Sequence, residues 1–277
     1  GTTGLPKGAL LPHRQTFYNA LNTVYGWGLG PDDVVIQATP AFHAAVNAVS
    51  IPLLHAGGRV VLQEQFDPAE YLKLIEAERP TMLFLVPTMY EMLAHKPAFA
   101  TTDFSSVKWA ISGGAACPEP LAKRFTERGV RFRQGYGLTE AGVNCFTIEQ
   151  HEADAHPDAV GRPMPYSQMR LVTEDGAEAK AGEVGELYIK GPHVFLGYYE
   201  EPEESKLALR DDGWLATGDF ATRDEAGLYR IVGRKKEMFI SGGENIFPNE
   251  VEAALFNHPA VRECAVVPVP DEKWGEV

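Results

Sequence analysis

Val107-Lys108-Trp109-Ala110-Ile111-Ser112-Gly113-Gly114-Ala115 is a short, mainly apolar run that ends on paired glycines. Residues 107–112 read as a strand, since a run this short bounded by turn residues suits a buried strand better than a helix. Upstream, strand and helix alternate. The spacing of Phe17, Ala20, Leu21 and Val24 predicts an amphipathic helix over 13–25, closed by Gly26–Gly30 and Pro31. Residues 34–39 read as a strand ended by Pro40, and 44–54, apolar nearly all round, as a buried helix. Gly57-Gly58 turns the chain into a short strand over 59–63. Asp67-Pro68-Ala69-Glu70 combines an N-cap, a proline at the first helical position and a capping-box Glu, starting a helix that runs to about Glu78. A strand over 81–86, helices over 87–93 and 118–127, and a strand over 131–134 follow, the last leading into Gly135-Tyr136-Gly137.

This alternation through residue 150 predicts an α/β layer with a mostly parallel sheet. Ligands of such sheets bind beyond the carboxyl ends of the strands, where both glycine turns fall. From Gly161 the style changes to short β runs, over 169–173, 183–190 and 228–232, parted by Glu174-Asp175-Gly176 and Asp224-Glu225-Ala226-Gly227 turns. The expectation is a β subdomain over 151–232 attached to the α/β part, together one large unit over 1–232. Residues 233–236, Gly-Arg-Lys-Lys, read as an exposed linker. Beyond it, a strand, the loop Ser241-Gly242-Gly243-Glu244-Asn245, a helix over 249–256 and a strand over 263–267 are expected as the start of a small α+β unit over 237–277.

The formal net charge of −13 argues against a nucleic-acid or anionic-membrane surface, both of which need basic patches. Three scattered cysteines, Cys117, Cys145 and Cys264, lack a Cys-x-x-Cys spacing and read as reduced thiols of a cytoplasmic protein. The sequence shows no sequon, secretory-signal pattern or apolar run long enough to span a bilayer.

Gly1-Thr2-Thr3-Gly4-Leu5-Pro6-Lys7-Gly8 combines glycines that bare their N–H groups, two hydroxyls and one mobile cation, a set suited to phosphate oxygens. Its spacing is not that of a Walker loop, and a flexible turn is the competing reading. In Tyr136-Gly137-Leu138-Thr139-Glu140, the Tyr offers a face for a base, Gly137 permits close approach, and Thr139 and Glu140 supply oxygens for phosphate and Mg²⁺. The competing reading is a tight turn capped by Thr139. Together with the opening loop and Gly113-Gly114-Ala115, the nucleotide reading is the better one. In Trp214-Leu215-Ala216-Thr217-Gly218-Asp219 the Asp could accept two bonds from a ribose diol or belong to an ordinary Asx turn. Arg234 could meet the same sugar or a phosphate, or be a surface charge. His151-Glu152-Ala153-Asp154-Ala155-His156 has histidines five apart, which share no helix face, and reads as a solvated polar segment rather than a metal site.

These motifs, with Gly185-Glu186-Leu187, Gly233-Arg234-Lys235-Lys236 and Ser241-Gly242-Gly243-Glu244-Asn245, make the chain resemble the adenylate-forming superfamily from residue 1 to 277. That superfamily holds acyl- and aryl-CoA synthetases, peptide-synthetase adenylation domains and luciferases. The resemblance implies an ATP-dependent acyl-CoA synthetase, an acid–thiol ligase whose partners are a carboxylic acid, Mg·ATP and coenzyme A. The acid forms an acyl-adenylate with release of pyrophosphate, and the thiol then displaces AMP. By the family pattern Thr2, Thr3 and Lys7, with Gly4 in the same loop, handle the β- and γ-phosphates. Gly113, Gly114, Ala115 and Tyr136, with Gly137, hold adenine. Thr139 touches the α-phosphate, Glu140 the Mg²⁺, and Asp219 and Arg234 the ribose. Lys236 matches the hinge residue, and Gly242 and Gly243 match the loop lining the pantetheine tunnel.

Phe42-His43-Ala44-Ala45 matches the acyl-pocket motif, so His43 joins Lys7, Thr139 and Glu140 as a catalytic candidate. Amino-acid-activating relatives carry an Asp where His43 stands, and an unpaired buried ammonium is costly. An acid without an amino group, fatty or aryl, is therefore favoured, with Ala44, Ala45, Val46 and Val143 as an apolar wall. The family pattern often has a Gly shortly after the His, from which Ala45-Val46 departs. The family's adenylation Lys lies in a Pro-x-x-x-x-Gly-Lys segment that these residues do not contain. The expectation is a fragment cut at both ends, inactive by itself. Other ligases of the superfamily, such as succinylbenzoate or acyl-carrier types, and a non-catalytic nucleotide-binding module are the alternatives.

Overall fold

The computed structural model describes residues 6–258, 260, 261 and 264–277. Helix α1 (His13–Trp27) ends at Gly28, whose φ of +65° lets the chain leave the helix through the left-handed region. It is followed by β1 (Val34–Gln37), α2 (Ile51–His55), β2 (Arg59–Leu62), α3 (Pro68–Glu78), β3 (Met82–Leu85) and α4 (Pro87–Ala94). Then come β4 (Trp109–Ser112), α5 (Glu119–Thr126) and β5 (Phe132–Gln134). The five strands form one parallel sheet in the order β2-β1-β3-β4-β5. Strands β3 and β4 are buried at every position, hence sequences without polar alternation.

Successive side chains of these strands enter opposite cores. Ile36, Leu83, Leu85 and Ala110 pack with Tyr71 and Ile75 of α3, Tyr90 and Leu93 of α4 and Phe125 of α5. Val35, Met82, Phe84, Trp109 and Ile111 pack with Trp27 of α1 and Leu53 of α2. The start of α3 is as read: Asp67 accepts from Glu70 N at 2.7 Å and Pro68 opens the helix. The Glu70 carboxylate turns to Lys73 at 3.1 Å instead of returning to the cap. The expected buried helix over 44–54 is instead a π-helical turn, Val46–Ser50, running into α2. One flank alone is covered, and Leu54 is 60% exposed.

A short ladder of β6 (Phe146–Thr147) and β7 (Arg162–Pro163) brackets α6 (Gln150–Ala155), the segment expected to be a solvated polar stretch. It is a helix, tied down where Arg162 donates twice to the Glu152 carboxylate at 2.7 Å. The β-rich expectation is met by β8 (Gln168–Val172), β9 (Gly185–Lys190), β10 (Leu215–Arg223) and β11 (Tyr229–Arg234), which form an antiparallel sheet in the order β11-β10-β9-β8. Helix α7 (Pro202–Ala208) lies between β9 and β10. Strand β11 runs through Arg234, so Gly233 and Arg234 belong to the sheet rather than to a linker.

The last part holds β12 (Phe239–Ser241), β13 (Glu244–Ile246), α8 (Pro248–Phe256), β14 (Pro270–Asp271) and β15 (Gly275–Glu276), its strands ordered β13-β12-β15-β14. Residues 264–267 of the expected 263–267 strand carry no strand. Val266 N–H donates to the Glu252 carboxylate at 2.9 Å, a partner taken from α8 in place of a ladder. Phe247 packs edge-on against Phe220 of β10, centroids 5.6 Å apart, joining this part to the antiparallel sheet.

Candidate active site

The carboxyl ends of β4 and β5 are adjacent, since Ser112 pairs with Gln134. Gly113 leaves β4 so close to Phe84 that a Cβ there would sit 2.6 Å from the ring. Gly114 follows at φ +77°, leaving Gly114 and Ala115 exposed above the sheet edge. Beyond β5, Tyr136 donates its hydroxyl to Asp219 Oδ2 at 2.5 Å. Residues 83 positions apart therefore meet, one from the parallel sheet and one from β10. Burial pushes the Tyr136 hydroxyl well above the ordinary tyrosine range, and the adjacent Asp219 charge adds to it. Burial also raises Asp219, opposed by the Tyr136 bond and by Arg234, whose Nε lies 3.6 Å from Asp219 Oδ1. Asp219 lies inside β10, with Gly218 at φ +73° and a register shift between Ala216 and Phe220. That bulge turns the carboxylate toward Tyr136, and it also hides β10 from a reading by alternation.

A second meeting point is Tyr198. Its hydroxyl donates to Glu140 Oε1 at 2.7 Å, and Lys7 Nζ lies 5.5 Å from the centre of its ring. Lys7 is also paired with Glu204 of α7. The chain holds this place by short bridges: Tyr199 N donates to Gly8 O at 2.7 Å, Leu10 N to Gly197 O at 2.9 Å, and Phe195 N to Glu140 O at 2.8 Å. The structure thus brings Lys7 and Glu140 together around a residue not singled out in the sequence. The Gly197-Tyr198-Tyr199 run was the available signal. Thr2, Thr3 and Gly4 lie outside the described residues.

Between these points, residues 136–145 fold back on themselves. Cys145 N donates to Tyr136 O and Val143 N to Leu138 O, both at 3.1 Å. A Cβ on Gly137 would lie 1.5 Å from Val143 O, so only glycine fits there. Gly142 and Val143 both take positive φ, +81° and +87°. For a β-branched residue this is a true outlier, with a cost of about 1–3 kcal/mol. Val143 packs against the core that holds Ala45, Phe84 and Ile111. Thr139 opens a 3₁₀ turn, and its carbonyl accepts from buried Gln15 at 2.8 Å.

The acyl-pocket candidates separate. Ala45 is buried, Ala44 and Val46 half-buried, whereas Phe42 is 93% exposed and His43 is exposed, its Nδ1 accepting from Ala45 N at 3.1 Å. Phe42 thus closes no wall here. Gly242 and Gly243 form the two-residue hairpin between β12 and β13, at φ +60° and +92°, as a type I′ turn demands. A Cβ on Gly242 would strike Trp274 at 2.5 Å, so this glycine makes room for an indole, while Gly243 faces open space. Lys236 stands exposed in the turn after β11.

Among the described residues no group of three or more His, Cys, Asp or Glu side chains could hold a metal ion. A lone carboxylate, Glu140, suits Mg²⁺ that arrives with phosphate oxygens and water rather than a protein cage. No helix among the described residues is long and apolar enough to cross a membrane.

Residues 1–199 match the family described as AMP-binding enzyme, and residues 250–277 match the AMP-binding enzyme C-terminal domain. A feruloyl-CoA synthase from Amycolatopsis sp is 42% identical over all of this chain and 56% of its own length. An indoleacetate–CoA ligase from Aromatoleum aromaticum is 39% identical over all of this chain and 54% of its own. The chain thus spans about half the length of these curated relatives. ATP-bound MatB from Rhodopseudomonas palustris superposes with a TM-score of 0.91 at 36% identity, over 100% of this chain and 55% of that one. The o-succinylbenzoate CoA synthetase of Bacillus subtilis, in complex with its acyl-adenylate, superposes at 0.89 and 31% identity, over 100% and 56%. The parallel sheet with its appended antiparallel sheets is the fold of these adenylate-forming neighbours, and the chain belongs to the AMP-binding enzyme family.

Proposed function

We propose that the chain is the nucleotide-binding portion of an ATP-dependent acyl-CoA synthetase, an acid–thiol ligase acting on a fatty or aryl acid. The observation that carries this reading is the Tyr136–Asp219 bond, which sets the end of β5, beside the exposed glycine turn after β4, against Asp219 and its neighbour Arg234. AMP would lay its base along Gly113, Gly114, Ala115 and the Tyr136–Gly137 turn. Asp219 and Arg234 would receive the ribose. Thr139 would meet the α-phosphate, while Lys7, Thr2, Thr3 and Gly4 would receive the β- and γ-phosphates. Lys236 would be the hinge between 1–232 and 237–277, and Gly242 and Gly243 would line the thiol's path.

When bound, Mg²⁺ would spread the charge that builds on the phosphate oxygens. This chain's residues would do the rest. Lys7 would leave Glu204 to meet the departing pyrophosphate, a fixed positive charge where negative charge develops. Tyr198 would hold the Glu140 carboxylate in place. Ala44, Ala45, Val46 and Val143 would keep water from the acyl group, and His43 would stand at the mouth of that pocket. His43, standing where amino-acid-activating relatives carry an Asp, favours an acid without an α-amino group. The relatives that act on ferulate, indoleacetate and fatty acids support an apolar acid.

Coenzyme A thioester formation, followed by mass spectrometry on the full-length gene product with a panel of fatty, aryl and amino acids, tests this reading. Thioesters of fatty or aryl acids support it. Nucleotide binding without any thioester would leave the non-catalytic module, and thioesters of amino acids alone would overturn the pocket assignment.

A further inference from the structure

The loop at 136–145 carries the proposed adenine, phosphate and metal-facing residues, yet it contains a β-branched residue in a conformation such residues avoid. Val143 at φ +87° directly follows Gly142 at +81°. A strained turn of this kind persists only where its surroundings over-determine it. Here the surroundings are an amide-rich stripe on α1. Gln15, Asn19 and Thr23 recur every fourth residue on one face, and all are at most 2% exposed. A stripe of polar residues buried on a helix is costly unless every group is bonded.

These groups bond to the loop and to the π-helical turn behind it. Asn144, itself 6% exposed, donates through Nδ2 to Thr23 Oγ1 at 2.8 Å and to Ala48 O at 2.6 Å. Its backbone N–H donates to Asn19 Oδ1 at 3.3 Å. Asn19 Nδ2 donates to Asn47 O at 2.6 Å, and Thr23 Oγ1 to Asn19 O at 2.9 Å. Gln15 holds the Thr139 carbonyl at 2.8 Å. On the far side the fully buried His193 bonds Ala141 O through Nδ1 at 2.7 Å and Ser167 through Nε2 at 2.8 Å. Thr139, Ala141 and Asn144 are thus each fastened from outside the loop, and Val143 stands within that fastened stretch.

We propose that Asn144 and the Gln15–Asn19–Thr23 stripe of α1 are positioning residues, holding Val143 left-handed so that Tyr136, Thr139 and Glu140 stay set for the nucleotide. None of the four is placed against a ligand. The proposal rests on the nucleotide reading of Tyr136–Glu140 and adds to it the part that keeps this loop in register.

Glycine adopts positive φ without strain, so a Val143→Gly change should free the loop from its need for Asn144. The test compares Asn144→Ala, Val143→Gly and the double variant in the full-length gene product. Readouts are AMP affinity by calorimetry and amide-hydrogen exchange of 136–145. Asn144→Ala should weaken AMP about tenfold, within the range of a released strained turn, and speed exchange in the loop. The double variant should recover both. A network that merely contributes stability predicts the opposite, a further loss on adding Val143→Gly. Should Asn144→Ala not fold, Thr23→Val keeps the side-chain shape, removes the hydroxyl that accepts from Asn144 and donates to Asn19 O, and should show a smaller loss with the same rescue. A double variant no better than Asn144→Ala, or an Asn144→Ala protein that matches wild type in both readouts, overturns the proposal. Wild-type protein that binds no AMP would sink the nucleotide reading instead, and the exchange data then decide the positioning role alone.

Discussion

The two meeting points of the site are built differently. At the Tyr136–Asp219 end, a phenol and a carboxylate share a short bond inside the protein, both pushed upward in pKa by burial. At the Lys7–Tyr198–Glu140 end, the groups are half-exposed, and Lys7 is engaged by an acid, Glu204, from the neighbouring helix. The first end is preorganised, while on the proposed reading the second would exchange a protein partner for a ligand. Binding would thus be set mainly by the buried end and turnover by the exposed one.

The largest effect should come from the exposed end. Lys7→Ala in the full-length gene product is expected to slow adenylation about a hundredfold, the scale of losing one charge partner of the transition state, with little change in thioester formation from supplied acyl-adenylate. Equal loss in both half-reactions would break the contrast. Asp219→Ala comes next. It strands the Tyr136 hydroxyl, a cost of about 1–3 kcal/mol read as a lowered denaturation midpoint, and should weaken AMP about tenfold. Tyr136→Phe removes the same bond from the other side and should weaken AMP by less, since the ring face remains.

A pH comparison sharpens the point. Asp219 has a raised pKa in the fold, so the native state holds its proton at pH values where the unfolded chain has released it. Stability from this group is full below the ordinary aspartate pKa and is lost as pH rises through the raised one. Asp219→Asn should therefore gain stability relative to wild type at pH 7 and not at pH 4, measured by chemical denaturation at both. The smallest effect belongs to the Lys7–Glu204 pair. Exposed ion pairs contribute roughly 0–1 kcal/mol, so Glu204→Gln should leave the denaturation midpoint nearly unchanged while tightening ATP slightly. A large destabilisation there would make the pair structural rather than a partner that ATP replaces.

The same contrast separates what the sequence made legible from what it did not. Strands β3 and β4 announce themselves because burial at every position demands unbroken apolar runs, and Gly113 stands at the end of β4. Strand β10 was hidden because Gly218 and its bulge interrupt the alternation at the place where Asp219 is aimed. Tyr198 and Glu204 escape the pattern because their role comes from tertiary pairing, Tyr198 with Glu140 and Lys7, Glu204 with Lys7. The glycines of Ser241-Gly242-Gly243 were read for the room they leave. In the fold, Gly242 serves the hairpin and makes room for Trp274. The π-helical turn at Val46–Ser50 also escaped the pattern, since an all-round apolar run does not say which helix it forms.

The measurement closest to the central claim is pyrophosphate exchange into ATP by the full-length gene product, with and without fatty and aryl acids. The site described here predicts exchange that appears only with an acid and falls about a hundredfold on Lys7→Ala. Exchange that is absent with every acid, or that Lys7→Ala leaves intact, would contradict carboxylate activation at this site.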